Sequence, residues 1–178
     1  MEMAVRNLGL EVECAANGVE CLETLRARDF DIVLLDVVMP EMDGFEVLGA
    51  IKADPSLRDI PVIVISSLEE IEDSVRAIEL GAEDFLTKPF NPVILKARLG
   101  AGIERKRLRD KELEYLRQVD RLAAASEVIE RKDFDPARLG LEDIAARDDQ
   151  LGNLAHVFLG MAGEVYRREQ MLRNQINL

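Results

Sequence analysis

DIVLLDVVMPEMDGFEVL, residues 31–48, is the stretch on which the reading of the fold turns. It opens with DIVLLD (31–36), an unbroken β-branched and aliphatic run between two aspartates. Such a run is expected of a strand covered on both faces, because no alternate position is left for water. It closes with Gly44 followed by Phe45 and Leu48, and Ile51 lies just beyond, a spacing that places all three apolar residues on one helical face. Between the two lies a short loop that begins at a carboxylate, Asp36.

The pattern repeats outward. PVIVIS (61–66) is a second continuous run, LEVECA (10–15) alternates as a strand does, and DFLTK (84–88) follows Gly81 as a shorter strand. Between them, Val19, Leu22 and Leu25 share one helical face, and Ile71, Val75 and Ile78 share another. Gly9, Gly18, Gly44 and Gly81 punctuate the boundaries. Strand and helix in strict alternation imply an α/β fold, a doubly wound parallel sheet with helices on both faces.

In open sheets of this kind ligands collect at the carboxyl ends of the strands. Asp36 ends the run 31–36, Ser66 ends 61–66 and Lys88 ends 84–88, so three strands bring a carboxylate, a hydroxyl and an ammonium to one edge. A carboxylate there can attack a phosphoryl group, a hydroxyl can bond a phosphoryl oxygen, and a lysine can neutralise its charge. A lone strand-end aspartate is more often a turn-former or helix cap; the coincidence of three carries the argument.

Taken together, DIVLLDVVMPEMDGFEVL, PVIVISS and GAEDFLTKPF resemble the receiver domain of response regulators over residues 1 to about 104. The resemblance implies a flavodoxin-like sheet with Asp36 as phosphoryl acceptor and Mg²⁺ held by Asp36 and the backbone carbonyl of Val38. It implies Ser66 as a switch hydroxyl, Phe85 as the aromatic that turns with it, and Lys88 on the phosphoryl group. A cis Lys88–Pro89 peptide and a helix opened by Gly44 are expected as well. A sensor histidine kinase or phosphotransfer protein would be the donor.

One departure stands out. The family begins with a central strand that ends in an acidic pair holding Mg²⁺. Here MEMAVRNLGLEVE (1–13) reads as the end of a first helix running into a second strand, and Glu2 and Glu11 are not at strand ends. The metal site is then weakened, and the strand at 10–15 has no neighbour or closes onto 31–36. The chain would be a piece beginning inside a longer domain, which the short initial helix favours, or a degenerate receiver that works by binding, or one completed by a second chain.

Residues 105–178 read as a separate all-α extension. Asn91 and Pro92 start a helix that runs well past the first domain, with Leu108, Tyr115, Leu122 and Ile129 at every seventh residue and Val119 between. KDFDPARLG (132–140) breaks it, and Leu151, Leu154, Phe158, Met161, Val165 and Leu172 stripe a second helix. RDDQLGNLAHVFLGMAGEVYRREQ (147–170) resembles the second helix of a HAMP domain: Asp149, Leu151 and Gly152 match, with Gln150 where glutamate is usual. That resemblance implies a first helix at about 112–131, a connector at 132–147 with Phe134, Leu139 and Ile144 as its apolar contacts, and a homodimer. KRLRDKELEYLRQV (106–119) looks like linkers that lead to nucleotide cyclase or similar output domains, so an output domain absent from this chain is expected.

Composition narrows the functions. A net charge of −12 and a pI near 4.6 disfavour nucleic acid and anionic membranes as partners. No apolar stretch reaches membrane-spanning length, and two cysteines, Cys14 and Cys21, at a spacing that matches no metal motif read as reduced, partly buried thiols of a cytoplasmic protein. His156, the single histidine, lacks the flanking residues of a kinase phosphohistidine and reads as a surface or seam residue. The leading expectation is a regulatory receiver and relay, not an enzyme; the alternative is a non-phosphorylated interaction and dimerisation module. A phosphatase using Asp36 would need a second acid and a metal cage that the sequence lacks.

Overall fold

Among the described residues three parallel strands form the sheet of the first unit: β1 (Val33–Asp36), β2 (Val62–Ser66) and β3 (Asp84–Thr87), in the order β1-β2-β3. Val33 pairs with Val62 and Asp36 with Ile65, while Ile63 pairs with Asp84 and Ser66 with Thr87. The carboxyl ends of all three strands are therefore level. The computed structural model describes residues 5–6, 8–67, 71–130 and 139–176. The helices are α1 (Gly18–Ala27), α2 (Gly44–Ala53), α3 (Ile71–Glu79), α4 (Pro92–Glu130), α5 (Glu142–Ala145) and α6 (Gln150–Ile176). Two compact units result, Met1–Arg109 and Asp110–Leu178, with the boundary inside α4.

β2 is buried along its whole length, as its unalternating sequence requires. Val62 and Val64 face one way, onto Leu22 and Leu25 of α1, Phe45, Leu48 and Ile51 of α2 and Ala77 of α3. Ile63 and Ile65 face the other, with Leu86 of β3 and Leu95 and Leu99 of α4. Each such aliphatic side chain contributes roughly 1.5–3 kcal/mol on burial. Local signals set the helix starts. Asn17 Oδ1 accepts from the Glu20 amide at 2.9 Å. Asp43 and Glu46 form a reciprocal capping box, with bonds of 2.8 and 2.9 Å. Asn91 Oδ1 accepts from the Val93 amide at 2.8 Å, so α4 starts at the predicted cap and at Pro92.

Three expectations are corrected. Residues 10–15 are not a strand: no described strand pairs with them. Their alternation survives, with Leu10 and Val12 packed on the Ile63–Ile65 cluster and Glu11 and Glu13 exposed. Alternation specifies which side chains turn inward, whereas a strand also needs a neighbouring backbone to bond. The phase of α3 is rotated as well. Val75 and Ile78 are exposed, and Ala77 faces the core, because a small residue lets the helix lie close while Arg76 stacks 4.3 Å over the Phe45 ring. Cys14 is exposed rather than partly buried; Cys21 is half-buried, and burial pushes its thiol up.

The second unit has its own small core: Leu122 and Ala125 of α4, Leu141, Ile144 and Ala145, and Leu151 and Ala155 of α6, with Leu139 and Phe158 against it. Ile144 lies in this cluster and Leu139 packs against it, while Phe134 lies outside the described residues. Asp149 Oδ1 accepts from the Gly152 amide at 3.0 Å and begins α6. Gly152 is needed there, since a Cβ would sit 2.1 Å from the Arg147 carbonyl oxygen. Of the two apolar stripes, Leu122 and Leu151 are buried, whereas Leu108, Tyr115, Leu154, Met161, Val165 and Leu172 are exposed.

Candidate functional site

The site is built at the carboxyl edge of the sheet. Asp36 is the last residue of β1, and β1 is held to β2 up to that point, with the Val37 amide donating to the Ile65 carbonyl at 3.2 Å. The chain then turns sharply. The Val38 amide donates to Asp36 Oδ1 at 3.3 Å, and the Gly44 amide donates to the Val37 carbonyl at 2.9 Å. Gly44 is required by this close return: a Cβ would lie 2.3 Å from the Asp36 carbonyl oxygen and 2.8 Å from Val37 Cα. Asp36 is thus gripped by the loop that its own helix closes.

Lys88 follows β3 directly. Its amide donates to the Ser66 carbonyl at 2.7 Å, which continues the β2–β3 ladder, and its Nζ donates to Asp36 Oδ2 in an ion pair. The Lys88–Pro89 peptide is cis, as expected. Ser66 is completely buried at the end of β2, the strand between the two. Phe85 is half-buried and packs on the core formed by β1, β2, α1 and α2. Val38 is 66% exposed, so the turn after Asp36 opens to solvent. The structure therefore brings Asp36, Lys88 and Ser66 to one edge, with Phe85 three residues before the lysine, in β3.

Two features had no sequence signal strong enough to be found. The first is the Val38 amide, which orients the carboxylate; backbone donors carry no residue signature. The second is Glu41, whose φ of 67° places a non-glycine residue in the left-handed region within the loop between Asp36 and Gly44. His156 is exposed on α6 and remote in sequence from all of these.

A magnesium ion needs several oxygen ligands. Asp36 offers a carboxylate already shared between the Val38 amide and Lys88, and Val38 offers a carbonyl. No group of three histidine, cysteine, aspartate or glutamate residues able to hold a metal occurs among the described residues. Glu11 is exposed, and Glu2 lies outside the described residues. The described residues do not by themselves fit the ion.

Comparison with known proteins places the chain. The family model for the response regulator receiver domain matches residues 1–100, and the chain belongs to that family. It is 39% identical over 106 residues to a "Probable transcriptional regulator ycf27" of Cyanidium caldarium, covering 60% of this chain and 41% of that protein. It is 49% identical over 90 residues to "Response regulator PleD" of Caulobacter vibrioides, covering 50% of this chain and 20% of PleD. The chain thus spans well under half the length of these relatives. Among solved structures, it superposes on the receiver domain of a sensor histidine kinase from Pseudomonas aeruginosa with a TM-score of 0.54 at 27% identity, over 58% of this chain and 84% of that one. In that structure a magnesium ion is coordinated in the active site cleft. The flavodoxin-like parallel α/β receiver fold and a role in two-component signalling follow from family membership.

Proposed function

We propose that this chain receives a phosphoryl group on Asp36 from a sensor histidine kinase or phosphotransfer protein and relays the change through its helices. The observation that carries the reading is the Asp36–Lys88 ion pair at the carboxyl end of three level parallel strands, with buried Ser66 on the strand between them. In the reaction an Asp36 carboxylate oxygen attacks phosphorus, an O–P bond forms, and the bond from phosphorus to the donor histidine nitrogen breaks. The product adds about −1.5 to −2 charge. Lys88, already beside the carboxylate, exchanges its partner for a phosphoryl oxygen. The Ser66 hydroxyl bonds another, and Phe85 turns toward the space left behind. No step is assigned to a metal, because the described residues do not complete a site for one.

Residues 1–104 act as the receiver in this reading, and 105–178 as a HAMP-like, coiled-coil relay that pairs with a second copy toward an output domain outside this chain. The exposed apolar residues of the two stripes, Leu108 and Tyr115 on α4 and Leu154, Met161 and Val165 on α6, support the pairing. No described helix is long and apolar enough to cross a membrane. In this reading the chain is regulatory rather than catalytic, and cytoplasmic. A second reading, a non-phosphorylated dimerisation module, is supported by the same exposed apolar residues, which pairing would bury without any phosphoryl transfer.

Intact mass after incubation with Mg²⁺ and acetyl phosphate tests the two. One added phosphoryl group, absent in Asp36→Ala, supports the receiver reading. A folded chain that gains nothing leaves the dimerisation module.

A further inference from the structure

We propose that Lys52 is a site of covalent acylation by small acyl phosphates, with its amine as acceptor and Arg109 as the group that takes the donor's phosphate. The inference goes beyond the reading of Asp36 given above and does not rest on it.

Lys52 stands in the last turn of α2, and its side chain is partly buried. Its Nζ donates to the Arg58 and Ile60 carbonyls, each at 2.8 Å. Arg109, on α4, donates to the carbonyl between them, that of Asp59. Two cations thus hold three successive carbonyls of the segment that enters β2, at the sheet edge opposite Asp36. The lysine stem runs beside Gly81, where a Cβ would lie 3.4 Å from Lys52 Cγ.

This geometry presents an amine as well as anchoring a loop. An ammonium carries three hydrogens, and here two are committed to carbonyls. Loss of the third leaves both bonds in place and puts the lone pair in the one direction left. The nitrogen is then held and oriented before any donor arrives. Partial burial holds the Lys52 ammonium below the ordinary lysine range, and the Arg109 guanidinium pushes the same way; Glu83 and Asp59 oppose them without reversing the direction. Desolvation beside a second cation is a means of activating a lysine as nucleophile.

Arg109 supplies the preference for a phosphate leaving group. Glu83 is paired with Arg105 at 2.5 Å, whereas Arg109 Nη1 stands 4.0 Å from Asp59 Oδ1. Arg109 Nε is buried without a hydrogen-bond partner among the described residues. A guanidinium so loosely matched turns toward a phosphate at little cost, and its planar fork fits phosphate oxygens. Lys96 and Lys111 are exposed, and Lys88 shares its proton with the Asp36 carboxylate.

In the reaction the neutral Lys52 Nζ attacks the acyl carbon and a C–N bond forms. The C–O bond to phosphate breaks, phosphate leaves with the electron pair, and the nitrogen's surplus proton goes to water. The amide product keeps a single N–H, so it satisfies one of the two carbonyls and carries no charge.

The full chain incubated with Mg²⁺ and acetyl phosphate, then treated with hydroxylamine, tests this by peptide mass spectrometry. Hydroxylamine cleaves an aspartyl phosphate and leaves an amide, so the two products are read separately. Lys52 is expected to gain acetyl ahead of Lys96 and Lys111 in the folded chain, and the order should vanish in denaturing urea. Arg109→Gln should slow acetylation of Lys52 by roughly twofold to fivefold, the worth of one solvent-screened ion pair. With p-nitrophenyl acetate, an uncharged donor, the same variant should slow it less.

A folded parent in which Lys52 does not lead the exposed lysines, an order that persists in urea, or equal slowing with both donors overturns the proposal. The first two outcomes are read on the parent alone, so a variant that fails to fold does not decide them. Acetyl on Lys52 with no phosphoryl group on Asp36 would reject the receiver reading and leave the acylation site standing.

Discussion

Lys88 Nζ is bonded to Asp36 Oδ2 although the two residues are 52 positions apart, Asp36 ending β1 and Lys88 directly following β3, two strands that are not adjacent. β2 lies between them, and Ser66 at its end is completely buried. The pair is only partly screened from water, with side chains 36% and 26% exposed, so it is open to exchange for an incoming phosphoryl oxygen. Lys88→Ala is expected to slow phosphoryl uptake from acetyl phosphate roughly hundredfold, the cost of losing one preorganised charge at the reacting oxygens. The time course of intact mass checks it; equal rates in parent and variant would remove Lys88 from the chemistry.

Gly44 and Gly49 both lie in α2 and should respond to alanine in opposite directions. At Gly44 the new Cβ meets backbone atoms of Asp36 and Val37 at 2.3 and 2.8 Å, which cannot yield as a flexible side chain would. Gly44→Ala should cost about 3 kcal/mol or more. A methyl group at Gly49 would meet open space, with nothing within 4 Å, so Gly49→Ala should stabilise the helix by about 0.5–1 kcal/mol. Urea unfolding of the two variants gives the comparison, and the same sign for both would contradict it.

Glu41 sits at φ 67° in the loop that carries Asp36 toward Gly44. The left-handed conformation costs a residue with a Cβ roughly 1–2 kcal/mol, partly offset in a glycine variant by the greater freedom of its unfolded chain. Glu41→Gly should therefore raise stability by about 0.5–1 kcal/mol. A lower denaturation midpoint than the parent's would show that the loop needs the glutamate for another reason.

Acid should loosen the second unit in a defined window. Arg121, bonded to both Asp143 oxygens at 2.7 Å, holds that carboxyl at about 2, and Arg147 does the same to Asp149. Both folded-state values lie below the ordinary ~3.9 of an unfolded aspartate. Their contribution is therefore complete above about pH 4 and is lost as pH falls through 4 toward 2. Thermal melts followed by helical circular dichroism between about pH 5 and 2 should show this decline, and Arg121→Gln should flatten part of it. A decline of equal size in Arg121→Gln would assign the acid sensitivity elsewhere.

Much of this protein is readable from residue order alone. Runs such as PVIVIS have no polar alternation, so β2 had to be buried on both faces, and it is. Short-range chemistry is equally legible: Asp43 and Glu46, or Asn91 and Pro92, carry their helix starts within a few residues. Asp36 and Ser66 at strand ends, and Lys88 just beyond one, share an edge because the parallel strands share one direction.

Other features depend on what lies across the chain. LEVECA has the alternation of a strand, but a ladder needs a partner backbone, and none of the described strands supplies one. Val75 and Ile78 look like a core face, yet Ala77 is what the sheet accepts, because the depth at which α3 sits is set by side chains of other elements. The Asp36–Lys88 bond and the arginine contacts along α4 join residues whose distance is fixed by strand register and helix seating. Local sequence determines which way each backbone segment runs; only the packed sheet determines which charges meet.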